Sequence, residues 1–233
     1  MPTWPPVRDA LGRPRVHFRL TDSTNACARE LADLGAPHGA LVTAESQSAG
    51  RGRQGRSWVT QPGRSLSCSL VIRNPPPLLS LVAGVAVAEV CGSEAMLKWP
   101  NDVLLWGRKV AGILVEGRPQ EDWAVVGIGI NVALELDQLD EETKQRAGTL
   151  GLAPADVESV LAALLEKLGS WLARSESEAL DAVRERDALL GQPVSWSEGE
   201  GVGAGIDERG NLLVRLADQR TIALNAGEVH LGG

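Results

Sequence analysis

Residues Lys98–Glu116 read KWPNDVLLWGRKVAGILVE. VLLW (103–106) and KVAGILVE (109–116) are apolar runs separated by Gly107-Arg108, the two-residue spacing of a β-hairpin. The two strands are therefore expected to pair antiparallel. Pro100 holds Trp99 extended, and Asn101-Asp102 begins a turn. A lysine, an amide and a carboxylate thus collect at one strand end, although a plain Asn-Asp turn leaves the same trace. Lys109 enters the second strand directly after the hairpin turn. It reads either as an edge lysine that blocks aggregation or, with Gly112 interrupting the strand, as part of a site that a ligand approaches closely.

Working outward, a Pro-rich lead-in covers residues 1–20, with a short strand near Val16–Leu20. Thr21-Asp22-Ser23-Thr24 offers several N-caps to a helix through Ala26–Leu34, which Gly35 ends. Ala40–Ala44 reads as a strand, 47–64 as a long loop and Leu66–Arg73 as an alternating strand. Leu78–Val90 is an apolar helix with almost no polar face, so it is expected to be buried. WAVVGIGINVAL (123–134) is a further strand. Ala155–Arg174 is an amphipathic helix and Ser175–Leu190 a less regular one. After Gly191 the pattern changes to short strands in PVSW, GVGAGID, NLLVRLA and TIALN, which suggests a β-barrel of about 45 residues. The boundaries expected are 1–188 and 189–233.

The chain has 233 residues, 43% hydrophobic and 23% charged. A chain of this length buries a core without staples. Cys27, Cys68 and Cys91 form no C-x-x-C pair, and His17, His38 and His230 are the histidines. Small core cysteines in a reducing cytoplasm fit better than a zinc site or a disulfide framework. No apolar run is long enough for a membrane span, and the N-terminus lacks a secretory h-region. The net charge is −7, yet residues 46–88 hold no Asp or Glu and carry +5 from Arg51, Arg53, Arg56, Arg64 and Arg73, leaving −12 elsewhere. A cationic island in an acidic chain points to a small anionic ligand rather than to a long polyanion.

That island centres on GRGRQGRS, Gly50–Ser57. It nearly matches a phosphate-binding P-loop, but Pro62-Gly63 stops the helix that such a loop must open into. What remains is a loop whose glycines allow close backbone approach and whose arginines grip carboxylate or phosphate. An ordinary basic solvent loop is the plainer alternative. VVGIGINV (125–132) lacks the third glycine and the following helix of a dinucleotide fingerprint.

STN (Ser23–Asn25), ESQSAGRGRQGRSW (Glu45–Trp58), KWPND (Lys98–Asp102), RKVAGILVE (Arg108–Glu116) and GIGINV (Gly127–Val132) together resemble the five signature blocks of biotin–protein ligases, in the family's order. The resemblance spans roughly residues 16–232. It implies an α+β fold: a mixed, largely antiparallel sheet with flanking helices, like class II aminoacyl-tRNA synthetases, plus a small C-terminal SH3-like β-barrel. With 22 residues before Ser23, the chain is similar to the ligase-only class without an N-terminal DNA-binding domain.

The reaction so implied uses ATP and Mg2+ to convert biotin to biotinyl-5′-AMP and pyrophosphate. Biotin then passes to one lysine of a biotin carboxyl carrier protein or domain of a biotin-dependent carboxylase. No tightly bound prosthetic group, DNA or membrane is implied, and both monomers and homodimers fit. By resemblance, Ser23, Thr24, Asn25, Gln47, Gly50, Arg51, Gly52, Arg53, Lys109 and Gly112 bind biotin. Arg51, Arg53, Arg56, Trp58, Lys98, Asn101, Lys109 and Asn131 serve ATP or the adenylate, with Trp58 packed on adenine. The catalytic residues implied are Lys109, Arg53 and Asp102; the resemblance assigns no metal ligands. A free lysine is neutral about once in 2,500 at pH 7, a penalty of roughly 4.6 kcal/mol, so Asp102 is expected to orient and help deprotonate the acceptor. Trp4, Trp99, Trp106, Trp123, Trp171 and Trp196 read as packing residues, Trp99 also as a pocket wall. The alternatives are a lipoate–protein ligase or octanoyl transferase of related fold and, remotely, a nucleic-acid binder.

Overall fold

The computed structural model describes residues 11–117 and 121–231. Trp4 and the first half of the Pro-rich lead-in lie outside the described residues. A seven-stranded sheet is built from β1 (Arg15–Thr21), β2 (Leu41–Gln47), β3 (Ser65–Arg73), β4 (Ala95–Lys98), β5 (Asp102–Leu105), β6 (Arg108–Gly117) and β7 (Trp123–Asn131), in the order β1-β2-β3-β7-β6-β5-β4. β1 and β2 run parallel and the other neighbours antiparallel. The sheet is thus mixed and largely antiparallel, as expected.

Strand alternation sorts the side chains between two faces. On one face Leu66, Cys68, Leu70 and Ile72 of β3 and Val126, Ile128 and Ile130 of β7 join the main core. Three helices cover that face: α2 (Leu79–Cys91), α4 (Val157–Leu172) and α5 (Glu176–Glu185). α2 is buried nearly all round, as its uniformly apolar sequence demands. On the other face α1 (Thr24–Asp33) packs Ala28 and Ala32 against Val42, Val71, Trp123 and Val125. α1 covers only part of that face, and the remainder is open.

The C-terminal strands β8 (Pro193–Trp196), β9 (Gly199–Ile206), β10 (Leu212–Arg215), β11 (Thr221–Leu224) and β12 (His230–Leu231) form an antiparallel sheet in the order β11-β10-β9-β8-β12. It is tied to the larger sheet where Trp99 Nε1 donates to Gly210 O at 2.9 Å.

Several local expectations need correction. The hairpin turn is Trp106-Gly107, one residue earlier than expected, because Leu105 pairs with Arg108. Both turn residues have positive φ (50° and 77°), the type I′ geometry that matches strand twist. This lifts Trp106 out of the core to 78% exposure, so it is not a packing residue. The last helix stops at Glu185 rather than Leu190, because Arg186 O and Ala188 N pair with the backbone of Leu97. That pairing belongs beside β4, a strand without a legible pattern in the sequence. The strand beginning at Trp123 ends at Asn131, not Leu134. A short helix, α3 (Glu141–Arg146), also went unread, although Asp140 caps it through Thr143 N and acids open it. No helix among the described residues is long and apolar enough to cross a membrane.

Candidate active site

The open part of the sheet is paved with small residues. Strand pairing places Ala44, Ser67, Gly129, Gly112 and Asp102 side by side across five strands. The indole of Trp58 lies on this floor: a Cβ at Gly129 would collide with it, and one at Gly112 would touch it at 3.3 Å. At Gly112, read from the sequence as a site of close approach, and at Gly129 the group that comes close is thus Trp58. Its Nε1 is buried with no hydrogen-bond partner among the described residues.

Two cavities meet at this tryptophan. The first runs past Ser23, Thr24, Asn25 and Gln47. Its polar end is built where α1 begins. Ser23, Thr24 and Asn25 are buried polar residues, and hydrogen bonds satisfy the latter two. Thr24 N and Oγ1 both donate to Gln47 Oε1, at 2.8 and 3.2 Å. Ser69 Oγ lies 2.8 Å from Thr24 Oγ1 and 2.6 Å from Asn25 Oδ1. The Asn25 amide nitrogen donates to Glu116 Oε2 at 2.8 Å. Asn25 is thus spent on holding the helix start, and Gly127 is small because the Asn25 amide fills the space above it. The second cavity passes Asn131 and α3. Asn131 Nδ2 donates to Gly148 O at 2.9 Å, which fixes the chain along that wall.

Arg56, Trp58, Lys98, Asp102, Lys109 and Glu228 line both cavities. Lys109 Nζ lies 2.6 Å from Asp102 Oδ1 and 5.7 Å from the centre of the Trp58 ring. Burial pushes the Lys98 ammonium below the usual lysine range, with Lys109 adding repulsion and Asp102 opposing both. Cys68, which lines the first cavity from the core side, is buried, and burial raises its thiol to about 12, so it stays protonated.

The Arg-rich loop folds back on itself through an Arg51–Ser57 bridge, and Trp58 N donates to Gly50 O at 2.9 Å. It is tied down at two points. Arg53 Nη1 donates to Asn101 Oδ1 at 3.2 Å, and Arg56 forms an ion pair with Glu228 of the C-terminal unit.

The structure brings the sequence-derived candidates together. Ser23, Thr24, Asn25, Gln47, Arg51, Gly52, Arg53, Arg56, Trp58, Lys98, Asn101, Asp102, Lys109 and Gly112 line the first cavity, and Asn131 lines the second. Gly50 lines neither and closes the base of the loop. Glu228 and Ser67 were missed. Glu228 lies far along the chain from Arg56 and in no signature block; Ser67 reads as one of three serines alternating along a strand.

Comparison with known proteins identifies the family. Residues 17–132 match the Biotin/lipoate A/B protein ligase family, and residues 190–232 match the Biotin protein ligase C terminal domain. The biotin–[acetyl-CoA-carboxylase] ligase of Paracoccus denitrificans is 38% identical over 240 residues, 91% of this chain and 98% of that one. The bifunctional ligase/repressor BirA of Bacillus spizizenii is 38% identical over 160 residues, 64% of this chain and 49% of that one. The chain thus spans about half the length of that curated relative. Among solved structures, a biotin protein ligase from Aquifex aeolicus in complex with biotin and ATP superposes with a TM-score of 0.80 at 28% identity, covering 94% of this chain and 100% of that one. The fold is that of the ligases that join biotin or lipoate to proteins. The chain belongs to the biotin protein ligase family.

Proposed function

We propose that the chain is an ATP-dependent biotin–protein ligase. It forms biotinyl-5′-AMP with release of pyrophosphate and passes biotin to a lysine of a biotin carboxyl carrier protein or domain. The observation that carries this reading is the meeting of two cavities at Lys109 and Trp58. A small acid in one cavity and a nucleotide in the other meet at that junction.

Ser23, Thr24 and Gln47 hold the ureido ring of biotin at the polar end of the first cavity. Gly50, Arg51, Gly52 and Arg53 close over the ligand. Lys109 offsets the repulsion between the biotin carboxylate and the α-phosphate. Trp58 offers its face to adenine, a contact worth roughly 1–3 kcal/mol by analogy with nucleic-acid platforms. Arg56, Asn101 and Asn131 line the nucleotide side, and Asp102 orients Lys109 and the incoming amine. Mg2+ would enter with the nucleotide, where it would offset the charge of the phosphates. The carboxylates at the junction, Asp102 and Glu228, are each held by a cation, and the described residues contain no cluster of three metal-ligating side chains. The unit from residue 189 onward contributes Glu228 to the site.

The test is ATP-dependent transfer of radiolabelled biotin to a purified biotin carrier domain, with lipoate in parallel. Label from biotin alone supports the reading. Label from lipoate alone moves the chain to the lipoate branch of its family.

A further inference from the structure

Lys98 stands apart from the other charged groups at the cavity junction. Asp102 is engaged with Lys109, and Glu228 with Arg56. Lys98 closes β4, pairs across the strands with Asp102 and lines both cavities. It has no ion-pair partner among the described residues. The charged groups facing it are Asp102 and Glu228, which favour its ammonium, and Lys109 and Arg56, which disfavour it. A partly buried lysine with no salt bridge, set where two substrates meet, is placed to gain and lose a proton.

Resting on the biotin-ligase reading, we propose that Lys98 is the base of the transfer step and takes the proton of the acceptor ammonium. The acceptor nitrogen then attacks the acyl carbon of biotinyl-5′-AMP. The bond from that carbon to the phosphate oxygen breaks, and its electron pair leaves on AMP. The second proton of the new amide nitrogen departs with the AMP phosphate, and Lys98 ends as an ammonium. Asp102 is the weaker choice for this role. An ordinary carboxylate is roughly a million-fold weaker as a base than an amine, and Asp102 is already spent on Lys109.

The experiment loads the full chain with preformed biotinyl-5′-AMP and follows single-turnover transfer. The nucleophile is either a purified biotin carrier domain or hydroxylamine, which is already neutral at pH 7. Lys98→Arg should slow transfer to the carrier by about 10²-fold or more, the scale of general-base catalysis, and slow hydroxylamine far less. With the unmodified chain, the carrier rate should rise along a pH limb below the ordinary lysine range, and the hydroxylamine rate should lack that limb. Equal losses with both nucleophiles, or the same limb with both, overturn the proposal. If Lys98→Arg cannot hold the adenylate, the two pH profiles of the unmodified chain decide alone. Failure of the unmodified chain to make any adenylate counts against the ligase reading instead.

Discussion

Lys109 reaches Asp102 at 2.6 Å because one residue between Lys109 and Gly112 is bulged out of register. Val103 pairs with Ala111 but Leu104 pairs with Lys109, so Val110 has no partner across β5. In a regular strand, residues 109 and 112 point to opposite faces. The extra residue turns Lys109 onto the Gly112 face, above the floor and beside Trp58. The ammonium is thereby fixed at the junction of the cavities.

Removal of this charge should impair adenylate formation more than it impairs folding. Lys109→Ala is expected to lower kcat for pyrophosphate release by about 10²–10³-fold, the cost of losing one preorganised electrostatic donor. Continuous pyrophosphate release measures it. A loss confined to the KM for biotin would assign Lys109 to ground-state binding.

Gly129→Ala should evict Trp58 from the floor, because the added methyl occupies the indole's place. If Trp58 is the adenine platform, the KM for ATP should rise roughly 10-fold or more. The Tm should change little, since the displaced ring lies over the cleft and not in the main core. Steady-state kinetics with ATP varied, alongside a thermal melt, separates these effects.

Arg53 spans from the loop to Asn101. Arg53→Gly is expected to leave the loop open and release reactive adenylate, so that bystander proteins become biotinylated. Asn101→Ala, which removes the other half of the contact, should leak in the same direction. Blotting a mixture of carrier domain and albumin for biotin checks both. Label confined to the carrier would remove the loop-closing role.

Asp187 is buried between the two sheets, with Oδ1 accepting from Leu189 N at 2.8 Å and Oδ2 unpartnered among the described residues. Burial raises its pKa above the usual carboxylate value. A raised carboxylate stabilises the fold fully at pH values below its unfolded pKa. That contribution fades as pH rises through the folded value. Asp187→Asn should therefore melt higher than the unmodified chain at neutral pH, with the gap narrowing toward pH 4. Melting curves from pH 4 to 8 test this, and a gap independent of pH would exclude ionisation as its cause.

Much of the fold was legible because its determinants are local. The apolar run of α2, the alternation along β3 and the two-residue hairpin each carry their period in a short window. β4 was not legible: four residues show too little pattern, and the strand is defined by backbone bonds to β5 and to Arg186 and Ala188. Trp106 misled for the opposite reason. Its apolar character says core, while the turn geometry places it in solvent.

The candidate site divides along the same line. The amino-acid sequence by itself determined which chemical groups are present: the Arg-rich loop, the lysine–amide–carboxylate turn, and glycines where a ligand or side chain must come close. Residue type alone carries that information, through charge, hydrogen-bonding capacity and the absence of a Cβ. Tertiary structure alone decided which groups meet. The bulge at Val110 chooses the face of Lys109, strand register lines up Ser67, Gly129 and Gly112, and the C-terminal sheet brings Glu228 to Arg56. Those contacts depend on register and on pairing between segments distant along the chain, and a pattern read within one segment does not contain either.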